Sequence, residues 1–490
     1  MAILPHYPSR RIVLQAGIGA TIGLLGKPLH AALAFAQQHA EAVWRPESGE
    51  RPAPSQRCFQ SEAVEAFLKQ TAARISDPEL RRLFLNCFPN TLDTMVFPGE
   101  FEGKPDTAVI SGDMPAMWLR DSSEQVRPYL VLAKNDLPLR RLLEGVIRRQ
   151  TRCLLIDPYA NAFMVDLSAP PLPWALHDNT KMLPGVGERK FALDSLCFPI
   201  RLAHSYWKAT GDVSPFDERW RAAMKAVIAT MREQQRKDGP GPYRFEHDGP
   251  NPENTLVGGV GNPCRPVGLI ASCFRPSDDA CFYPFFIPAN LFAVTSLRQL
   301  ATMSTAIMKD TALAADATAL ADEVGRAALR YGTVATASGI IWAFEVDGFG
   351  GQAIMDDANV PSLLALPYLD SSPDAALYAR TRSFCWSSSN PWFTRGKAGE
   401  GIGSIHSDVG RIWPMSLTMF GLTSTSDEEI ARVLDLLKRS SAGTGFIHES
   451  YAVSDASKYN RLWFGWGNSL FGEFVAKVAH DRPALLRPSS

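Results

Sequence analysis

Six short clusters of carboxylate, indole, imidazole and amide side chains interrupt a sequence whose apolar residues otherwise recur at helical spacing. They are Gly112–Ser122, Phe274–Asp279, Met355–Pro361, Gly401–His406, Gly445–Ser450 and Trp463–Asn468. Indole faces pack on the apolar face of a sugar, and carboxylates and amides hold its hydroxyl groups through hydrogen bonds. Cleavage of a glycosidic bond needs two carboxyl groups. These residue types therefore favour a carbohydrate site with hydrolytic chemistry.

Each cluster also has a structural interpretation, which stays open at this level. An Asp before a helix, such as Asp121, Asp278 or Asp356, is most often an N-cap. His406 and His448 are equally compatible with supporting positions behind a site. The adjacent pairs Asp278–Asp279 and Asp356–Asp357 exceed what capping needs, and like-charge crowding keeps one carboxyl of such a pair protonated.

Several other chemistries are disfavoured by spacing. His448-Glu449 does not begin a zinc-protease motif, because position 452 is Ala. The glycines at 258–261 and 399–403 lack the strand and spacing of a phosphate loop, and no G-x-S-x-G is present. The eight cysteines form no C-x-x-C, which disfavours a zinc site. We predict no metal and no cofactor. Most cysteines fit buried free thiols, with a disulfide among Cys264, Cys273 and Cys281 as the alternative.

The elements between the clusters are mostly helical by periodicity. Asp77-Pro78, Ser214-Pro215 and the Ser426/Glu429 pair are helix-start signals. Further apolar-periodic stretches cover about 122–134, 137–155, 193–209, 284–305, 309–330, 358–380, 411–422 and 462–479. Strand-like alternation is scarce, and a short strand is predicted only at 340–346.

About a dozen helices with alternating short and long connections predict an all-α fold, an (α/α)6 toroid or barrel whose long loops form a pocket at one mouth. The loop at 239–266 holds twelve Gly or Pro in twenty-eight positions. A loop of that length inside a compact domain is usually functional. Because alternate helix starts face the same end of such a toroid, the six clusters are expected to converge there.

The N-terminus resembles an export signal. Arg10-Arg11, an apolar Gly-rich run and Ala34-Phe35-Ala36 predict a twin-arginine signal at 1–36. We assign 37–56 to a linker, 57–481 to one glycosidase domain and 482–490 to a flexible tail. The predicted location is periplasmic or secreted. No later segment is long and apolar enough for a membrane span, and 50 Lys+Arg against 51 Asp+Glu argues against nucleic-acid binding.

Long motifs distributed over nearly the whole chain after the signal identify a family resemblance. They are Leu83-Phe84-x-Asn86-Cys87-Phe88, Pro115–Ser122, Asp157–Phe163, Glu188-Arg189-Lys190, Asp194–Cys197, Phe274–Cys281, Met355–Leu364 and Asn468–Phe471. Together they resemble glycoside hydrolase family 125, the exo-acting α-1,6-mannosidases. Two stretches depart from the family pattern, Ile270–Cys273 and Phe349–Ala353, and they leave the preferred leaving group open.

The resemblance implies an (α/α)6 barrel that releases non-reducing terminal α-1,6-linked mannose from mannans or N-glycan-type oligosaccharides, with inversion and without a metal. It makes Asp278 the general acid, which we expect burial and Asp279 to keep protonated, and Glu449 the general base. The remaining predicted substrate-binding residues are Trp118, Arg120, Asp121, Asp279, Asp356, Asp357, His406, His448 and Asn468. An α-glucosidase of the same fold and a non-catalytic periplasmic glycan-binding protein remain as alternatives. A uronate lyase is disfavoured, because residues 37–490 carry a net charge of −4 (47 − 51).

Overall fold

Thirteen α-helices form the largest part of the regular secondary structure in the described chain, residues 49–487 of a computed structural model. They are α1 (Glu62–Ala72), α2 (Pro78–Cys87), α3 (Asn90–Thr94), α4 (Leu119–Val126), α5 (Leu137–Ile156), α6 (Asp194–Thr210), α7 (Glu218–Glu233), α8 (Ile287–Met303), α9 (Thr311–Tyr331), α10 (Ala375–Cys385), α11 (Pro414–Leu422), α12 (Asp427–Ser440) and α13 (Gly465–Asp481). Most lie within a few residues of their predicted bounds.

Seventeen short strands in these residues correct the all-α prediction. They are β1 (Val96–Phe101), β2 (Lys104–Val109), β3 (Ala116–Trp118), β4 (Ala162–Met164), β5 (Asp178–Thr180), β6 (Val186–Glu188), β7 (Phe245–His247), β8 (Phe285–Phe286), β9 (Thr333–Thr336), β10 (Gly339–Trp342), β11 (Glu345–Val346), β12 (Gln352–Ala353), β13 (Phe393–Gly396), β14 (Gly399–Ile402), β15 (Arg411–Ile412), β16 (Ser450–Ala452) and β17 (Asp455–Asn460). They pair antiparallel in sheets of two or three strands. Segments of two to six residues are too short for alternation to reveal them, except at the predicted 340–346.

Helix starts follow the capping signals in two of three places. The Asp77 carboxylate accepts from the backbone N–H groups of Glu79 and Leu80 at the start of α2, and Ser426 caps α12. The predicted start at Ser214 is wrong, because α7 begins at Glu218, where Asp217 supplies the cap. An N-cap carboxylate satisfies backbone donors that the first turn leaves unpaired.

Burial alternates along the chain. Helices α4, α6, α8, α11 and α13 are buried along most of their surface, whereas α5, α7, α9 and α12 bury one face. The prediction of a helix over 358–380 is wrong for residues 358–374, where a largely buried chain of turns precedes α10. There the Asp356 carboxylate accepts from the N–H groups of Leu363 and Leu364, and this arrangement replaces a helical turn.

The ends of the predicted domain pack onto its body within one compact unit. Arg51, in the predicted linker, pairs with Asp93 at 2.7 Å. Leu486, in the predicted tail, is buried in the short helix Pro483–Leu486. The predicted signal at 1–36 lies outside the described residues. From residue 49 to 487, no helix combines the length and apolar character needed to cross a bilayer. All eight cysteines are free thiols, six of them buried.

Candidate active site

Asp278 lies at the tip of a tight loop. Phe274 and Ala280 form an antiparallel bridge, and Arg275 and Asp279 close the turn between them. Asp278 has a φ of +65°, a left-handed conformation that Asp adopts more readily than most residues. The fully buried Glu345 anchors the loop by accepting from Arg275 Nε at 2.6 Å. The backbone of the loop is therefore held in place, and the Asp278 side chain that projects from it is 20% exposed.

A buried arginine lies behind Asp278. Arg120, on the first turn of α4, is 4% exposed and contacts three carboxylates. Its Nη2 is 3.5 Å from Asp278 Oδ1, its Nε is 3.5 Å from Asp121 Oδ2, and its Nη1 is 3.4 Å from Asp194 Oδ2. Its guanidinium also lies 5.7 Å from the ring centroid of Trp466. The cluster holds three acids around one fixed cation.

We call residues 274–280 the acid loop. Asn161 and Lys190 contact it from the side of strands β3, β4 and β6. Asn161 Nδ2 donates to Asp278 Oδ1 at 3.2 Å and to Glu188 Oε2 at 2.7 Å. Lys190 Nζ donates to the Asp278 carbonyl at 2.9 Å. Trp174 donates its indole N–H to the other oxygen of Glu188. Both protein contacts to the Asp278 carboxyl thus reach Oδ1, which leaves Oδ2 as the oxygen able to present a proton.

Glu449 occupies the opposite kind of environment. It immediately precedes β16, and its side chain is 7% exposed. Its Oε1 accepts from Arg461 Nη1 at 2.9 Å, and its Oε2 accepts from Asn460 Nδ2 at 2.7 Å. Arg461 also forms a second ion pair, in which its Nη2 lies 2.7 Å from Asp113 Oδ1. Two donors, one of them the Arg461 guanidinium, therefore hold the two oxygens of the Glu449 carboxylate.

Asp121 lies between these two environments. Burial raises its pKa, and the Asp278 charge adds to the rise, while Arg120 and Arg461 oppose it. Arg461 is the partner of Glu449, so Asp121 interacts electrostatically with both halves of the arrangement. The structure therefore brings Asp278, Arg120, Asp121 and Glu449 into one charged network.

Gly112 connects the segment around Arg120 and Asp278 to the segment around Glu449. This residue forms a bridge with Phe464, one residue before α13. Its φ is +112°, and a Cβ at this position would lie 2.2 Å from the carbonyl oxygen of Trp463. Only Gly allows this close approach of two backbones. The bridge joins the segment that carries Asp113 and Arg120 to the segment that carries Arg461.

Asp279 points to a different partner from Asp278. Its Oδ2 lies 3.6 Å from His406 Nδ1, and the His406 ring packs edge-on to Trp413. Burial opposes the charged form of Asp279, but hydrogen bonding from His406 and Ser277 prevails and lowers its pKa. The carboxylates that repel Asp278 are Asp121 and Asp194, whereas we expected Asp279 in that role.

Four of the predicted site residues are buried among protein partners. Asp356 accepts two backbone N–H groups and Asp357 accepts two from Asn359. Asn468 accepts from the Ile447 N–H and donates to Asn90. The His448 ring stacks on Tyr459 at 3.7 Å, and burial lowers its pKa to about 3. These contacts give the four residues a supporting place behind Glu449 and beside the acid loop.

Some buried polar atoms near Asp278 have no hydrogen-bond partner within residues 49–487. They include Trp118 Nε1, Asp121 Oδ2, Asp357 Oδ2 and Trp466 Nε1. Buried polar groups are normally hydrogen-bonded, so such a concentration is typical of a ligand site. Donor and acceptor atoms both occur, which suits hydroxyl groups.

Five residues of the site were missing from the sequence prediction. Asn161, Lys190 and Asp194 lie inside motifs that carried the family resemblance, so the motifs themselves were the signal. Asn460 is the last residue of the short strand β17 and Arg461 follows it, and no pattern in the sequence distinguishes them. Their importance comes from the sheet β15–β16–β17, in which Ser450 pairs with Asn460 and so places Arg461 beside Glu449.

The arrangement can carry out acid–base chemistry on a glycoside. Asp278 shares the Arg120 cation with two other acids, whereas each oxygen of Glu449 accepts from its own donor. Pairs of titratable groups in contrasting environments are typical of an assigned acid and base.

Comparison with known proteins agrees with this chemistry. Residues 77–476 match the model of the family described as metal-independent α-mannosidases, GH125. The meiotically up-regulated gene 157 protein of Schizosaccharomyces pombe is 40% identical over 465 residues, 90% of each chain. A metal-independent α-mannosidase structure of Streptococcus pneumoniae, in a non-productive complex with α-1,6-mannobiose, matches with a TM-score of 0.83 at 40% identity, over 87% of this chain and 100% of that one.

More distant structures share the fold alone. A bacterial glucoamylase complexed with acarbose matches with a TM-score of 0.51 at 12% identity, over 82% of this chain and 57% of its own. The chain therefore has a helix-rich glycosidase fold.

Proposed function

The chain belongs to glycoside hydrolase family 125, the metal-independent α-mannosidases, and we propose that it releases terminal α-1,6-linked mannose with inversion. It is a glycoside hydrolase by family. The linkage is carried over from the relative of Streptococcus pneumoniae, which was solved with α-1,6-mannobiose at 40% identity. Mannans and N-glycan-type oligosaccharides are the substrates we propose.

The observation that carries the mechanism is the contrast between two carboxyl groups. Asp278 presents Oδ2 from a rigid loop, while both oxygens of Glu449 are held by donors. Asp278 is the general acid, which protonates the glycosidic oxygen as the bond to the anomeric carbon breaks. Glu449 is the general base, which takes a proton from water attacking the opposite face. Inverting enzymes place these carboxyl groups roughly 6.5–9.5 Å apart, which leaves room for that water.

We further propose that the helices form an (α/α)6 barrel in which α4, α6, α8, α11 and α13 are inner helices and a chain of turns replaces the sixth. The alternation of buried and one-sided helices supports this proposal, because the inner ring of such a barrel is covered on all sides. In this arrangement Arg120 on α4 and Asp194 on α6 start adjacent inner helices, as their contact requires.

Export by the twin-arginine pathway to the periplasm or the exterior also remains a proposal. It is tested by fusing residues 1–36 to a reporter that is active only after export and by replacing Arg10-Arg11 with Lys-Lys. Export that persists in the Lys-Lys fusion would contradict the pathway.

The main test is cleavage of α-1,6-mannobiose followed by NMR of the anomeric proton from the earliest time point. We expect β-mannose first. Initial α-mannose would contradict inversion, and cleavage of α-glucosides in preference to the mannobiose would favour the α-glucosidase alternative. Binding without turnover of any α-glycoside would favour a glycan-binding protein.

Two variants assign the roles. General acid–base catalysis contributes about 10²–10⁴-fold, so Asp278→Asn and Glu449→Gln should each lose that much rate on the mannobiose. Fluoride leaves without protonation, so Asp278→Asn should keep near wild-type turnover of α-mannosyl fluoride, whereas Glu449→Gln should lose it. Equal losses on both substrates for both variants would contradict the separate roles.

A further inference from the structure

Asp194 is the most deeply buried member of the group around Arg120. Its side chain has no exposed surface and its Oδ2 lies 3.4 Å from Arg120 Nη1. It is the first residue of α6, where the partial positive charge of a helix N-terminus stabilises an anion. Because it is wholly buried, Asp194 can influence a substrate only through Arg120 and its partners.

The charge balance of this group is unusual. Three carboxyl groups, Asp121, Asp194 and Asp278, surround one guanidinium. If all three were ionised, a buried site would hold two uncompensated negative charges, and burial disfavours such charges strongly. Burial raises the pKa of Asp121 and of Asp194, and the Asp278 charge adds to both rises, so the ionisation of each acid depends on the others. The other charged or titratable groups that face these acids are Lys190 on the acid-loop carbonyl, Arg461 beyond Asp121, and Cys197 one turn along α6.

We propose that Asp194 is a positioning residue that keeps the proton on Asp278 by engaging the charge of Arg120. The inference rests on the proposed role of Asp278 as general acid. With Asp194 ionised, the guanidinium is already compensated, and Asp278 holds its proton until a higher pH. With a neutral side chain at 194, the charge of Arg120 acts mainly on Asp278. Asp278 then loses its proton at a lower pH and cannot donate it to the leaving group.

The electrostatics of Asp194 support this coupling. Burial raises the pKa of Asp194 to about 6, Arg120 opposes the rise, and the Asp278 charge adds to it. A repulsion between two acids is mutual, so the proton belongs to the pair and the loss of either charge is felt by the other.

The test compares pH profiles of kcat/KM for the wild-type protein, Asp194→Asn and Asp194→Glu on α-1,6-mannobiose. We expect the alkaline limb of Asp194→Asn to move about one unit or more to lower pH, in the range of an unshared opposite charge. Asp194→Glu, which restores the charge, should return the limb toward wild type. On α-mannosyl fluoride, which needs no proton from Asp278, Asp194→Asn should show no such shift.

The control is Asp93→Asn, which removes a carboxylate of similar burial that pairs with Arg51 and does not contact Arg120. Its alkaline limb should coincide with wild type even if its stability falls. If Asp194→Asn does not fold, judged by thermal unfolding, Asp194→Ser removes the same charge from a smaller side chain.

The outcomes separate this inference from the proposed function. A wild-type protein that does not cleave the mannobiose would contradict the proposed function. A wild-type protein that cleaves it, with an alkaline limb unmoved in folded Asp194→Asn or Asp194→Ser, would overturn the role of Asp194 alone. A limb that moves equally in Asp93→Asn would also overturn it, because the shift would then follow from general destabilisation.

Discussion

The Arg461 guanidinium contacts the carboxylates of both Glu449 and Asp113. We therefore predict that substitutions at 461 and at 113 shift the acid limb of the pH profile of kcat/KM in opposite directions. In the proposed mechanism Glu449 must be ionised to accept a proton from water, and Arg461 is the cation that contacts its carboxylate. Arg461→Gln should therefore move the acid limb of kcat/KM to higher pH. Asp113→Asn should move it to lower pH, because the whole guanidinium charge then acts on Glu449.

The size of the shift follows from the geometry. Charges about 4 Å apart interact by about 4 kcal/mol at an effective dielectric of about 20 and by about 1 kcal/mol in water. The Glu449 side chain is 7% exposed and that of Arg461 is 17% exposed, so the pair lies between these limits. Asp113, which is 44% exposed, takes part of the charge. A net effect of about 1–2 kcal/mol corresponds to roughly one pH unit.

The assay is hydrolysis of α-mannosyl fluoride between about pH 3 and pH 8, because this substrate needs the base and not the acid. Both variants should keep the alkaline behaviour of the wild-type protein. An acid limb that is unchanged in Arg461→Gln, or that moves upward in Asp113→Asn, would refute the assignment of Arg461 as the cation that serves Glu449.

Three further predictions concern the residues that support the site. Asn468→Ala leaves two buried partners unsatisfied and should lower the free energy of unfolding by about 2–4 kcal/mol in urea titrations. The pKa of His448 is lowered to about 3 in the folded protein, from about 6.5 in the unfolded chain. The neutral His448 ring therefore contributes to the free energy of unfolding above about pH 6.5, and this contribution is lost as the pH falls. Between pH 7.5 and pH 5 this amounts to about 2 kcal/mol, and His448→Gln should abolish that part of the slope. Gly112→Ala should cost more than about 2 kcal/mol and most activity, because its Cβ meets the Trp463 carbonyl; a wild-type melting temperature would contradict this.

Helices were predictable where periodicity and caps agreed. The stretches at 137–155 and 193–209 became α5 and α6 within a residue or two, because long amphipathic or buried helices leave a clear apolar period. Within the predicted helix 358–380 only residues 375–380 are helical, because the apolar residues before them are buried in turns. A buried turn and a buried helix have similar apolar composition, and here Pro367, Pro373 and the Asp356 hydrogen bonds to the backbone distinguish them.

The sheets could not be predicted for a related reason. Every strand has two to six residues. Three sheets are local hairpins, β1–β2, β9–β10 and β13–β14, whereas others, such as β3–β4–β6 and β15–β16–β17, also pair strands from separate loops. In the sheets that join separate loops no single segment carries the signal, and in the local hairpins the strands are too short for alternation to show. Yet these sheets place Trp118, Glu188, Glu449 and Arg461, so the proposed catalytic arrangement depends on the part of the fold that periodicity does not reveal.

A motif alone also does not separate residues that touch a substrate from residues that hold them in place. Asp278 and Asp279 are adjacent, yet one faces Arg120 and the other pairs with His406. His448 and Glu449 are adjacent, yet the imidazole is buried against Tyr459 while the carboxylate meets Arg461. In both pairs the partner at one position fixes the backbone from which the other side chain projects. This gives a physical reason why such motifs are long: the reacting carboxyl groups need rigid neighbours, and those neighbours occupy the next positions in the chain.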